Sequence, residues 1–261
     1  MALILINDMQ IDSTKRFSNR VDNYVKYRPG YPDEVIKFLK NECNLSQRSI
    51  VADIGSGTGI FSALLLKQGY KVYAVEPNED MQHAAKVQLS GNENFIPVKG
   101  NAETTTLKEK SIDLIVCAQA FHWFNSERTR AEFKRILTDN GQAALIWNNR
   151  LADADEFSMA YESILKSKTS EYSEVNHRNI GENDLKALFR NGEYKTACYP
   201  NVQVFDEDGL MGRAFSSSYV PSEGTEEGEN FRQLLKDIFE KYSKDGKVSF
   251  HYQTEVYFGK I

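Results

Sequence analysis

Apolar and polar positions along residues 32–149 form a regular succession of strand and helix patterns. Short runs rich in β-branched residues stand between segments whose apolar residues recur three and four positions apart. The predicted strands are 49–54, 71–75, 94–98, 112–118 and 143–147, and the predicted helices begin at Pro32, Ile60, Asn78 and Ser126. Strands that alternate with helices in this way predict a doubly wound, mostly parallel α/β sheet with right-handed crossovers.

The pattern is less regular after residue 150. Amphipathic spacing predicts helices over 156–168 and 231–242 and a short helix around Leu185, and residues 247–258 alternate like a strand. Residues 219–230 are rich in Gly, Ser and Glu, which predicts a mobile connection. The chain thus divides into an N-terminal strap or lid (1–31), an α/β core (32–150), a cap that also carries sheet strands (151–230) and a C-terminal helix with an edge strand (231–261).

Composition and net charge disfavour several classes of binding partner. The net charge of −5 over 261 residues gives no general attraction to nucleic-acid phosphates or anionic lipid, so neither partner is expected. No apolar run approaches the ~20 residues that span a bilayer, and the opening MALILIND lacks the basic segment of a secretory signal. We therefore expect a cytoplasmic protein, either a monomer or a weak homodimer. Cys43, Cys117 and Cys198 are odd in number and widely spaced, which predicts buried thiols and no metal site.

The stretch VADIGSGTG at 51–59 combines an acidic residue with three glycines directly after a strand. Glycine-rich turns of this kind usually cradle a phosphate, but Asp53 has the wrong charge for an anion. The dinucleotide fingerprint G-x-G-x-x-G also fails, because counting from Gly55 places Ile60 at the third glycine position. A ligand that carries an ammonium and a sulfonium group suits this turn better, and S-adenosylmethionine is such a ligand.

Ligands of a doubly wound sheet bind beyond the carboxyl ends of the strands. The turn at 53–59, Glu76, Asn101 and residues 119–123 all follow predicted strands, so we expect them to meet in one cleft. Glu76 lies about 20 residues after the first glycine, the interval at which an acid accepts hydrogen bonds from both ribose hydroxyls of an adenosine cofactor.

Four motifs in succession, VADIGSGTG, AVEPNEDM, VKGNAE and IDLIVCAQAFHW, resemble those of the class I S-adenosylmethionine-dependent methyltransferases. The resemblance covers roughly residues 24–149. YRPGYP at 27–32 and AFHWF at 120–124 are similar to the small-molecule branch that includes trans-aconitate methyltransferase. Membership implies a Rossmann-like methyltransferase fold of about seven strands with an antiparallel edge strand and a helical cap, and S-adenosylmethionine as cofactor, with S-adenosylhomocysteine as product.

The resemblance also implies the cofactor contacts, which are Asp53, Gly55, Ser56, Gly57, Thr58, Gly59, Glu76, Pro77, Met81, Asn101, Ala102, Glu103 and Gln119. Asp53 and the glycines would line the methionine moiety, Glu76 would hold the ribose, and the residues after it would flank the adenine. Many relatives have Asp where this chain has Asn101, so the hydrogen bond to the adenine amino group loses its charge assistance.

The predicted acceptor is a small molecule, a carboxylate or an aromatic compound, methylated by in-line displacement. Candidate acceptor contacts are Tyr27, Arg28, His122, Trp123 and Arg150. His122 is the candidate general base, although it serves equally well as a packing residue, and a carboxylate acceptor needs no base at neutral pH. No Asn/Asp-Pro-Pro-aromatic motif of nucleic-acid amine methylation follows the fourth strand. Two alternatives stay open, an NAD-dependent dehydrogenase and a non-catalytic S-adenosylmethionine-binding regulatory protein.

Overall fold

The computed structural model describes residues 21–169 and 180–261. The opening MALILIND, most of the predicted strap and a short part of the predicted cap lie outside the described residues. The described strands are β1 (Ile50–Ile54), β2 (Lys71–Val75), β3 (Phe95–Val98), β4 (Ile112–Ala118), β5 (Leu137–Arg150), β6 (Lys195–Phe205) and β7 (Val248–Gly259). The described α-helices are α1 (Val21–Tyr27), α2 (Asp33–Glu42), α3 (Ile60–Lys67), α4 (Glu79–Gln88), α5 (Ser126–Ile136), α6 (Glu156–Lys168), α7 (Glu182–Leu188), α8 (Glu207–Phe215) and α9 (Glu226–Tyr242).

The seven strands form one sheet in the order β3-β2-β1-β4-β5-β7-β6. Strands β1 to β5 are mutually parallel, while β7 runs antiparallel to both β5 and β6. The predicted Rossmann-like fold class, with about seven strands and an antiparallel element at one edge, is confirmed. The predicted C-terminal edge strand, β7, is not the edge itself, because β6 pairs with it on its outer side.

Local sequence explains where several helices begin. Asn78 precedes α4, and its side-chain oxygen accepts a hydrogen bond from the Met81 N–H at 2.9 Å. Asn125, Asp155 and Asp206 act in the same way at the starts of α5, α6 and α8. Each of these caps satisfies a backbone N–H that the first turn of a helix leaves without a partner.

Three apolar clusters hold the layers together. One cluster lies on each face of the parallel sheet, as expected of strands that are buried on both sides. The third cluster joins α6, α8 and α9 to the far end of β7 through Tyr161, Phe215, Phe231 and Phe250. This third cluster packs helices of the predicted cap (151–230) against the C-terminal helix and strand.

Several local predictions differ from the structure. Cys198 is exposed, and Cys43 is only partly buried, so of the three predicted buried thiols only Cys117 is correct. Helix α9 starts at Glu226, inside the connection predicted over 219–230. Helices α1 and α8 had no predicted counterpart, and β6 is a sheet strand within 151–230, where strands were predicted without bounds. None of the helices within 21–169 and 180–261 is long and apolar enough to cross a membrane.

Candidate functional site

A cleft opens at the carboxyl ends of the strands, where the order reverses between β1 and β4. Its cavity volume is about 230 Å³. Most of the predicted cofactor contacts form its walls, namely Asp53, Gly55, Ser56, Gly57, Thr58, Glu76, Pro77, Met81, Asn101, Ala102, Glu103 and Gln119. Gly59 is not among the wall residues; it forms the N-cap of α3. Segments that are far apart in sequence therefore meet here, as predicted from the ends of the strands.

The glycine turn adopts a backbone conformation that side chains disfavour. Gly55, Gly57 and Gly59 have φ angles of 71°, 55° and 82°. A Cβ atom added at Gly55 would lie 2.6 Å from the Cβ of Ala120, whereas one at Gly57 would meet nothing within 4 Å. The turn thus needs glycine at Gly55 for conformation and for space, but at Gly57 for conformation alone.

We expect Gly55→Ala to lower the free energy of unfolding by about 2–5 kcal/mol, since it combines left-handed strain of ~1–2 kcal/mol with overpacking of ~1–3 kcal/mol. Gly57→Ala is the matched control and should cost only the strain. Urea denaturation of both variants measures the difference. Equal losses for the two variants would show that the contact with Ala120 is unimportant.

Asp53 ends β1 and is 1% exposed. Its Oδ2 atom accepts a hydrogen bond of 2.6 Å from the Ser62 hydroxyl of α3. Its Oδ1 atom, also buried, has no hydrogen-bond partner in the described part of the chain. Burial raises the pKa of Asp53 from 3.8 to about 7, with Glu76 adding a smaller repulsion and the Ser62 hydrogen bond opposing it. The cleft therefore holds a carboxyl group that lacks a stabilising cation.

Glu76 follows β2 and is also buried. Its two oxygens accept hydrogen bonds from the backbone N–H groups of Gly57, at 2.8 Å, and of Asn78, at 2.9 Å. Burial raises the pKa of Glu76, and these two hydrogen bonds oppose that rise. Glu76 thus ties the glycine turn to the start of α4, in addition to any contact with a ligand.

The other end of the cleft lies between β3, β4 and α5. The Asn101 side-chain oxygen accepts a hydrogen bond of 2.8 Å from the Thr104 N–H, and a Glu103 carboxylate oxygen accepts one of 2.7 Å from the Asn125 N–H. Gln119 has a φ of 58°, a left-handed conformation that is unusual for a non-glycine residue. Such strained positions concentrate at functional sites.

The charge of the cleft is one-sided. The described residues in its walls include three carboxylates, those of Asp53, Glu76 and Glu103, and no lysine, arginine or histidine. An anionic pyrophosphate would be repelled here, whereas a ligand with a positive charge would be attracted. Over the described ranges no group of three or more His, Cys, Asp or Glu side chains is arranged to hold a metal ion.

The predicted acceptor residues do not all reach the cleft. Trp123 is a wall residue, and His122 lies beside it with a ring-centroid distance of 4.9 Å but is not in the wall. Tyr27 packs on Gly212 of α8, and Arg28 donates a hydrogen bond to the backbone oxygen of Ser216. These contacts fasten the end of α1 to the cap.

Arg150 also lies away from the cleft walls. It forms an ion pair with Glu162 of α6, and both side chains are largely buried. Its guanidinium carbon is 4.9 Å from the centroid of the Tyr161 ring. The sequence predicts Arg150 as an acceptor contact, but the structure places this arginine in an ion pair with a residue of α6.

Other wall residues were not among the predicted cofactor or acceptor contacts. They are Tyr24, Tyr31, Ile60, Phe61, Asn78, Ala118, Ala120 and Phe124. Most of them directly adjoin a predicted contact in the sequence, so extending each motif by one or two positions finds them. Tyr24 and Tyr31 belong to the strap, and the high density of aromatic residues there is the sequence feature that could have indicated a contact with the cleft.

Comparison with known proteins identifies the class. Residues 52–145 match the methyltransferase domain family. A protein of Dictyostelium discoideum named as a methyltransferase is 31% identical over 203 residues, which are 74% of this chain and 73% of that protein. A methyltransferase-like protein of Schizosaccharomyces pombe is 33% identical over 142 residues, 54% of each chain. The chain spans about half the length of this and other curated relatives that it matches.

The fold agrees with this class. A solved structure described as a type II methyltransferase of Anaeromyxobacter dehalogenans superposes with a TM-score of 0.65 at 19% identity, covering 90% of this chain and 98% of that one. At such low identity the likeness shows the fold alone. Together with the match to the Dictyostelium protein, it shows that the chain belongs to the class I S-adenosylmethionine-dependent methyltransferases.

Proposed function

We propose that the cleft binds S-adenosylmethionine and that the chain transfers a methyl group to a small-molecule acceptor. The observation that carries this proposal is the buried carboxyl of Asp53, whose Oδ1 atom has no partner within the described residues. A buried carboxylate is stable only with a hydrogen-bonding or cationic partner, and the ammonium group of the cofactor provides both. The acidic walls of the cleft support the same ligand.

When bound, S-adenosylmethionine supplies a methyl group on a sulfonium, which an acceptor nucleophile takes by in-line displacement. The contribution of the chain is positioning, because orientation alone supplies ~7–11 kcal/mol of a barrier. We assign the methionine end to Asp53 and the glycine turn, and the ribose hydroxyls to Glu76.

The remaining cofactor roles are proposals of the same kind. Pro77 and Met81 flank the adenine on one side, and Ala102 and Glu103 on the other. All four are wall residues of the cleft, which supports this assignment. The side-chain oxygen of Asn101 already accepts from the Thr104 N–H, so its second lone pair would have to serve the adenine amino group.

We propose a carboxylate or aromatic metabolite as acceptor, bound between Trp123 and the tyrosines of the strap. Tyr24 and Tyr31 support this placement because they line the same cleft as Trp123. Tyr27, Arg28, His122 and Arg150 stay candidate contacts from the sequence, and the ion pair with Glu162 argues against Arg150 as the partner of an acceptor anion.

On charge and composition we also propose a cytoplasmic monomer or weak homodimer, related to the trans-aconitate branch by its YRPGYP and AFHWF motifs.

The binding experiment is calorimetry with S-adenosylmethionine, S-adenosylhomocysteine and NADH. Both adenosyl ligands are expected to release heat on binding, and NADH is not, because the three wall carboxylates repel its pyrophosphate. A dehydrogenase would give the opposite result. A coupled assay for S-adenosylhomocysteine release across small carboxylic acids, phenols, quinols and amines then separates an enzyme from a non-catalytic binding protein.

The role of His122 depends on the acceptor. With a carboxylate, which is already ionised at neutral pH, we expect His122→Ala to retain kcat within about 10-fold. The exposed His83 of α4 provides the control variant His83→Ala. A loss of ~10²-fold or more, together with loss of the basic limb of the pH profile, would instead identify His122 as a general base acting on a phenol or an amine.

A further inference from the structure

Four arginines lie in the region where α1 meets the cap, and two of them have an acidic partner within the described ranges. Arg150 pairs with Glu162. Arg28 and Arg213 have no carboxylate partner among the residues of the described ranges; their hydrogen-bond partners are oxygens of neutral groups. Glu223, another carboxylate of this region, pairs with Arg232.

Arg213 is 7% exposed and sits on α8. Its Nε atom donates a hydrogen bond of 3.2 Å to the Tyr252 hydroxyl, and its Nη1 atom donates one of 3.3 Å to the Ser217 hydroxyl. Burial opposes its charge, but the surrounding tyrosines, which ionise only at high pH, outweigh burial and raise the pKa of Arg213. The guanidinium therefore stays charged inside the protein.

Arg28 approaches the same place from the strap. Its Nη2 atom donates a hydrogen bond of 3.0 Å to the backbone oxygen of Ser216, the neighbour of Ser217. Its Nε atom is buried and has no hydrogen-bond partner within the described part of the chain. Burial lowers the pKa of Arg28, and the positive charge of Arg213 lowers it further.

The two guanidinium groups carry five N–H donors each. Within the described ranges these donors form three hydrogen bonds, one from Arg28 and two from Arg213. The carboxyl-terminal end of α8 offsets part of the positive charge through its dipole. Tyrosine hydroxyls add no negative charge near neutral pH. Two like charges, one buried and one half-buried, without a counter-charge in the described ranges are costly for the free protein, and an oxyanion would remove that cost while filling the unused donors.

The position of this pair relates it to the cleft. The Arg28 guanidinium carbon is 4.8 Å from the centroid of the Tyr24 ring, and Tyr24 is a wall residue of the cleft. An acceptor whose anionic end bonds to the arginines would thus lie beside Tyr24, with its other end toward the cofactor.

We infer that Arg28 and Arg213 form an anion-binding subsite, which holds a carboxylate or phosphate group of the methyl acceptor. Guanidinium groups suit both anions because they present paired N–H donors. The inference rests on the proposed function, and it assigns the acceptor anion to Arg213, which was unassigned, in place of Arg150.

The test uses the full chain saturated with S-adenosylhomocysteine. Acetate, succinate and inorganic phosphate are titrated at constant ionic strength with chloride as the balancing anion, and the midpoint of thermal unfolding is followed. At least one of these anions should stabilise the wild type with a saturable dose dependence. Arg213→Gln and Arg28→Gln should each raise the apparent Kd for that anion at least tenfold, the loss expected for a charge-assisted hydrogen bond.

Arg232→Gln is the matched control. Arg232 also packs on an aromatic ring of the cap, with its guanidinium carbon 4.9 Å from the centroid of Phe215, but it has Glu223 as a partner. This variant should respond to anions like the wild type. Stabilisation by the carboxylates points to a carboxylic acid acceptor, and stabilisation by phosphate alone to a phosphate ester.

The inference is overturned if none of the three anions stabilises the wild type, or if the Arg28 and Arg213 variants respond as the wild type does. Should Arg213→Gln fail to fold, the half-buried Arg28 gives the decisive variant. Calorimetry of S-adenosylhomocysteine on the same proteins separates the two proposals. If that ligand fails to bind the wild type, the proposed function falls; if it binds while the anion response is unchanged, only the subsite falls.

Discussion

Glu76→Ala is expected to weaken S-adenosylhomocysteine binding by roughly 1.5–3 kcal/mol, or about 10- to 150-fold, the range for a hydrogen bond to a charged group. Two effects act together. The variant loses the proposed bonds to the ribose hydroxyls, and it frees the Gly57 and Asn78 N–H groups that Glu76 now holds. Calorimetry on the variant and the wild type measures the change in Kd.

Glu79→Ala is the control for this prediction. Glu79 lies three residues away at the start of α4, and its side chain is 77% exposed in an ion pair with Lys99. Removing that carboxylate should leave the Kd within about twofold, because exposed ion pairs contribute little. If Glu79→Ala weakens binding as much as Glu76→Ala does, the effect arises from overall charge and the ribose assignment is wrong.

The second large effect concerns Asp53 and pH. Its pKa is raised from 3.8 to about 7 in the folded protein. At ~1.4 kcal/mol per pH unit, the free energy of unfolding is about 4 kcal/mol larger with Asp53 protonated than with Asp53 ionised. The folded protein holds this proton more tightly than the unfolded chain does. Protonation of Asp53 therefore stabilises the folded protein, and this stabilisation is complete below about pH 4. It is lost as the pH rises toward 7. The unliganded protein should therefore lose stability over this interval.

Asp53→Asn provides the comparison, since the amide oxygen can still accept the Ser62 hydrogen bond but carries no charge. Urea denaturation at pH 4 to 8 should show a smaller decline for the variant than for the wild type. Parallel stability curves for the two proteins would mean that Asp53 keeps an ordinary pKa and is not buried as an isolated acid.

Ligand affinity should change in the opposite direction. A bound ammonium group favours the ionised form of Asp53, so S-adenosylhomocysteine should bind the wild type more tightly as the pH rises toward 7 and should release a proton on binding. The variant should bind more weakly and release no proton from this position. Calorimetry in buffers of different ionisation enthalpy measures the proton release.

These two acids show why the cleft differs from a dinucleotide site on a similar sheet. Both side chains are buried, and the described walls offer them no cation. The free protein accepts a cost at Asp53 that a positively charged ligand removes. A cost of this kind in the free state is a common feature of binding sites built on a rigid scaffold.

The amino-acid sequence alone was sufficient to predict the parallel half of the sheet and most of the cleft. Strands β1 to β4 are short apolar runs bounded by turns, and their pattern depends on local spacing alone. The glycine turn could be predicted in the same way, because a backbone with positive φ angles favours glycine whatever residues surround it. Since ligands of such sheets bind at the carboxyl ends of strands, Asp53, Glu76 and Gln119 followed from their positions along the chain.

Only the tertiary structure decided which charges have partners. Arg150 and Arg213 look alike in sequence, yet Arg150 meets Glu162 while Arg213 is buried among hydroxyl groups. The bounds of strand β6 escaped prediction because it lies at the sheet edge and much of its side-chain surface is exposed. Helix α8 contains two glycines, which weaken its helical pattern, and one of them is required by the ring of Tyr27. Periodicity and turn chemistry act within a few residues, whereas the partner of a buried charge comes from a distant segment, and only the packed fold specifies it.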